Sequence, residues 1–68
     1  MNTFQQQLLT IIARHPGINI PEIALALGYT RLSGNQQRYL RWLEDTGRIK
    51  SMRVRDWRRG YRKIYREA

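Results

Sequence analysis

The chain has 68 residues, 41% of them hydrophobic, and thirteen Lys and Arg against five Asp and Glu give it a net charge of +8. That length supports one domain near the lower limit for folding without staples, and the lack of cysteine excludes a disulfide or a thiolate metal site. A lone His15, no arguable Ser-His-Asp set and no glycine-rich phosphate loop argue against an enzyme, so no metal or other cofactor is expected.

The first predicted helix covers residues 3–15. Thr3-Phe4-Gln5-Gln6 fits a capping box, in which Thr3 and Gln6 satisfy each other's backbone N–H groups. Phe4, Leu8, Ile11 and Ile12 follow at helical spacing, widened by Leu9 and Ala13. His15-Pro16-Gly17 stops the run, and His15 is read as a helix-terminal, solvated residue. A second helix, 21–28, begins at Pro21, whose missing N–H costs nothing in a first turn. Ile23, Ala24 and Leu27 form its apolar face, and Gly28 is placed for a left-handed cap.

Tyr29 to Leu32 is read as a connector. Ser33-Gly34-Asn35-Gln36 is a second capping-box match and opens a third helix over 33–46, with Leu40 and Leu43 on the core side and Gly47 at its end. Asn35, Arg38 and Arg41, with Gln37 nearby, form the polar side. Gln36 stands where an apolar residue would be expected. Glu44 and Asp45 are expected to pair with nearby Arg.

From Ile49 the apolar period shifts towards two, predicting strands over 49–54 and 61–65 around the turn Asp56-Trp57-Arg58-Arg59-Gly60. Nine of the thirteen cations lie in residues 48–68, interleaved with Trp57, Tyr61 and Tyr65. A disordered basic arm would carry few such residues, so the cations sit on an ordered hairpin, and their natural partner is a phosphate backbone. Strand rather than helical periodicity argues against an anionic membrane surface. Tyr61 and Tyr65 are read as cross-strand packing residues, and Trp42 as a packing residue. Trp57 is open between stacking on bases and packing.

Two segments resemble the winged helix–turn–helix family. Pro21-Glu22-Ile23-Ala24-Leu25-Ala26-Leu27-Gly28 is similar to its second helix, x-E-I-A-x-A-L-G. Arg38 to Ile49 is similar to its third helix and exit, R-x-L-x-x-L-E-x-x-G-x-I. Among small versions, the chain most resembles the fimbrial phase-variation regulators, over residues 4–66. The turn containing Thr30 to Ser33 is about two residues longer than the common pattern. The resemblance implies an α+β fold in which residues 1–68 form a single domain of three helices and a C-terminal two-stranded β-hairpin, the wing. It also implies a third helix in the major groove and a wing on the backbone or minor groove.

The residue chemistry leads to the same place. Arg pairs with guanine edges and Asn or Gln with adenine, while an Arg-rich hairpin supplies affinity without reading sequence. The candidate DNA-binding residues are Ser33, Asn35, Gln37, Arg38 and Arg41 from the helix, and Arg53, Arg55, Arg58, Arg59 and Arg62 from the hairpin, with Arg58 and Arg59 at its tip. The expected function is sequence-specific binding of double-stranded DNA by a small transcriptional regulator. The alternatives are an architectural or excisionase-like recombination accessory factor, and an adaptor that binds protein or RNA with the same fold. A weak dimer or another regulator remain open as partners. No small-molecule ligand and no membrane are expected. Met1 suggests a natural start, and without a membrane span or signal peptide the expected location is cytoplasmic.

Overall fold

The computed structural model describes residues 2–58 and 60–68, so Met1 and the candidate contact residue Arg59 lie outside the described residues. The element order is α1 (Thr3–Arg14), β1 (Ile18–Asn19), α2 (Ile20–Ala26), α3 (Gly34–Asp45), β2 (Ile49–Asp56) and β3 (Gly60–Glu67).

Each helix opens on a capping box: that of α1 is in a different frame from the one expected, and that of α2 lies ahead of the expected start at Pro21. α1 is capped by Asn2 rather than Thr3. Its Oδ1 accepts from Gln5 N at 2.8 Å, and Gln5 Oε1 accepts from Asn2 N at 2.9 Å. Asn is the stronger N-cap, and the shift makes Gln5 a buried residue with its side-chain oxygen satisfied. α2 is capped by Asn19 with Glu22, which draws Ile20 into the first turn and puts Pro21 second. α3 opens on Ser33 and Gln36, as expected. Gln36 is polar because it completes this cap, its Oε1 accepting from Ser33 N at 2.8 Å.

The core is one cluster of ten buried apolar side chains. α1 gives Leu8 and Ile12, α2 gives Ile23 and Ala24, and α3 gives Leu40 and Leu43; Ile18, Ile49 and Tyr65 close it from the sheet. The tenth is Leu32, only 4% exposed. The connector is therefore anchored in the core, which fixes where α3 begins despite the long turn. Gly28 closes α2 with φ +88°, a conformation that L side chains rarely adopt, and Tyr29 N donates to Ala24 O at 2.8 Å.

The sheet has three strands, not two, in the antiparallel order β1-β3-β2. β1 is too short for period-two patterning to show it. It forms because the turn after α1 brings Gly17 N to within 2.9 Å of Tyr65 O, pairing Ile18 with Tyr65 and Asn19 with Ile64. The wing strands also run longer than expected, to Asp56 paired with Gly60. Residues paired directly across antiparallel strands share a face, and faces alternate along each strand. One face therefore carries Ile49, Ser51, Arg53 and Arg55 opposite Glu67, Tyr65, Lys63 and Tyr61. The other carries Lys50, Met52 and Val54 opposite Arg66, Ile64 and Arg62.

Leu32→Ala should lower unfolding free energy by about 2–5 kcal/mol in urea titration, as for other buried Leu truncations. Arg31→Ala, one residue away on the surface, should change it by less than about 0.5 kcal/mol. Equal, small effects would mean that the connector is not anchored.

Candidate nucleic-acid interface

The exposed side of α3 and the inner face of the wing form the two walls of an open cleft. Gln37, Arg38 and Arg41 line one wall, Lys63 lies opposite, and Tyr65 and Ile20 also border it. Two further hollows run from Ile20. One passes Arg31 and Ser33 at the start of α3, and the other passes Arg58, Tyr61 and Arg62 along β3. All three share Ile20, and Gln37 and Lys63 each border two of them, so they adjoin as one trough. The second outer hollow exists because β1 covers β3 only at Ile64 and Tyr65, which leaves the β3 edge open where it faces α2.

The candidate residues are distributed unevenly over this trough. Gln37, Arg38 and Arg41 come together in the cleft, with Gln37 Nε2 donating to Leu32 O at 3.3 Å. Ser33 lies at its mouth, where its hydroxyl oxygen is already used as the helix cap. Asn35 is exposed but does not line the cleft; it falls on the helix edge shared with Trp42, seven residues on. Arg53 and Arg55 share the sheet face of Lys63 and Tyr61. Arg62 is on the opposite face, opposite Val54, yet also borders the trough along the open edge. Arg58 follows the strand end, its N–H donating to Asp56 Oδ1 at 3.0 Å.

Lys63 was missing from the candidates. Its two-residue spacing from Tyr61 and Tyr65 was the available signal, since burial of Tyr65 places all three on one face. Tyr61, expected to pack, is 68% exposed beside the trough, whereas Tyr65 is in the core. Trp42 is 39% exposed beneath the Arg48 guanidinium, 5.0 Å from its ring centre.

Glu44 is the acid that reaches across the cleft; Asp45 lines the same cleft, and Glu22 and Asp56 border the hollow along β3. Glu44 accepts from the Ser51 hydroxyl on β2 and pairs with Lys63 Nζ on β3 at 3.4 Å, rather than with an arginine as expected. Among the described residues this is the one ion pair, so no guanidinium group of the trough arginines has a carboxylate within 4.0 Å. The Ser51 hydrogen bond, helped by Lys63 and Arg41, holds the Glu44 carboxyl below its ordinary value, while partial burial opposes them. Burial pushes the Tyr65 phenol up. No group of three or more His, Cys, Asp or Glu able to hold a metal occurs among the described residues, and no helix among them is long and apolar enough to cross a membrane.

A search of solved structures finds the PcaV transcriptional regulator from Streptomyces coelicolor, crystallised in complex with its natural ligand. The TM-score is 0.77 at 19% identity, over 100% of this chain and 45% of that one. The chain has a winged-helix fold. It spans less than half the length of that neighbour, and at this identity the likeness establishes the fold alone. No family model matches the chain, and a search of curated proteins finds no match.

A carboxylate held below its unfolded value stabilises the fold above that value and loses the contribution as pH falls through its folded value. Glu44→Gln should therefore cost stability at neutral pH, by less than about 1 kcal/mol for so exposed a pair. The gap from the native chain should close as pH falls below 4.5, the ordinary Glu value. Urea titrations across that range check it; a gap independent of pH would remove the electrostatic role.

Proposed function

We propose that the chain binds double-stranded DNA in a sequence-dependent way and acts as a small transcriptional regulator. α3 enters the major groove, and the wing lies along the adjacent backbone or minor groove. The observation that carries this reading is the cleft itself, where Gln37, Arg38 and Arg41 face the same hollow as Lys63. An α-helix with its side chains is about 10–12 Å across, matching a major groove about 12 Å wide. The molecule's longest extent, 36 Å, spans about one turn of duplex, roughly 34–36 Å.

Within this reading Arg38 and Arg41 meet guanine edges and Gln37 meets adenine. Arg53, Arg55, Arg58 and Lys63 neutralise phosphates. The remaining hairpin candidates, Arg59 and Arg62, are assigned with them, and Asn35 is left to the rim of the contact. The sequence motifs support a nearer kinship to fimbrial phase-variation regulators, a single domain over residues 1–68 and a cytoplasmic location. That the structural neighbour is a transcriptional regulator fits the same role.

If about five to seven phosphates are neutralised, log affinity should fall against log salt with a slope of about −4.5 to −6. Anisotropy titration measures it, and a slope near zero would move the function to protein binding. In the same assay Arg38→Ala should cost about 1–3 kcal/mol on the preferred duplex and relax base choice at one position. Replacing Arg53 and Arg55 together by Ala should weaken preferred and scrambled duplexes alike, flattening the slope by up to about 2. If the wing variant lost discrimination while Arg38→Ala lost only general affinity, the roles would be reversed.

A further inference from the structure

Trp57 stands at the outer end of the wing and is 85% exposed, the most exposed large hydrophobic residue among those described. Packing therefore does not explain it. Its indole forgoes the 150–250 Å² of buried surface that an aromatic ring ordinarily contributes to a core. Its described partner is the Arg58 guanidinium, 4.9 Å from the ring centre. The tip is shaped locally: the Asp56 carboxylate accepts the Arg58 N–H at 3.0 Å, and Gly60 turns the chain with φ +87°.

Phosphate contact uses charge and N–H or O–H donors, and the flat face of an indole adds nothing to it. A base, in contrast, offers a flat surface on which an indole stacks whatever the sequence. The geometry brings Trp57 within reach of such a surface. Gly60, where β3 begins, lies five positions before Tyr65, which borders the cleft. At about 3.3 Å per strand residue that is roughly 17 Å. Half of a duplex turn of about 34 Å is the same length, so with α3 in a major groove the tip arrives at the neighbouring minor groove.

Resting on the DNA-binding reading above, we infer that Trp57 is a wedge. It inserts from the minor groove at a pyrimidine–purine step, with Arg58 leaving the ring to meet an adjacent phosphate. Such steps unstack most easily, and apolar side chains inserted there kink the duplex. The wedge makes DNA deformability a second determinant of site choice, separate from base reading by α3. The energy spent on unstacking offsets much of the stacking gained, so loss of Trp57 alters shape and selectivity more than affinity.

The test uses the duplex most enriched from a random pool, with 2-aminopurine replacing adenine at each TA and CA/TG step in turn. Its emission rises when the base leaves the stack. The native chain should raise it several-fold at one step. Trp57→Ala should bind within about tenfold, keep the salt slope and produce no rise, whereas Trp57→Phe should restore it. Binding without a rise at any step, or an unchanged rise with Trp57→Ala, would overturn the wedge and leave the DNA-binding reading intact. Failure of the native chain to bind any duplex would overturn both. Circular dichroism of each variant serves as the folding control.

Discussion

Burial of Tyr65 decides which side of the wing each cation occupies. The ring is 4% exposed, and the residue pairs with Ile18 on one side and Ser51 on the other. Side chains along a strand alternate between faces, so Lys63 and Tyr61 must follow Tyr65 onto its face. The pairing adds Arg53 and Arg55. A slip of one residue would expose Tyr65 and turn this set away from α3. The force that maintains the contact surface is thus apolar, and the charged residues take their places as a consequence.

Glu44 refines what Tyr65 establishes. It is the acid on α3 that reaches both wing strands, through Ser51 and Lys63, and so fastens the helix to the hairpin across the cleft. Its energy is small, as for any half-exposed ion pair, but its position is specific. The Glu44 charge also keeps Lys63 partly neutralised. Arg38 and Arg41, on the same helix, have no such carboxylate partner among the described residues. That contrast distinguishes Lys63, which also holds the walls together, from Arg38 and Arg41.

Much of this was legible in the chain because the strongest local signals coincide with real boundaries. Ser33 with Gln36, Gly28, Gly47 and the change of period at Ile49 each mark an observed edge. The misses have physical causes. At the first helix two overlapping boxes compete, and Asn2 prevails over Thr3 as the better cap. Leu32 looked like connector because no periodicity surrounds it, yet tertiary burial holds it. β1 depends on a long-range bond from Gly17 to Tyr65 that no local pattern records. For the site, helical phase grouped Asn35 with Arg38 and Arg41, but the wing covers only one flank of α3, and Asn35 lies off it. Lys63 and Tyr61 entered only once the register was known.

In the proposed reading, duplex DNA docks in the trough between α3 and the wing, bordered by Tyr65. Amide and side-chain NMR shifts recorded during titration with a duplex test it most directly. Changes should concentrate on Gln37, Arg38, Arg41, Tyr61 and Lys63, and the outward side of α1, marked by Gln6, Thr10 and Ala13, should stay still. Shifts gathered on that outward side of α1, with the cleft unmoved, would contradict it.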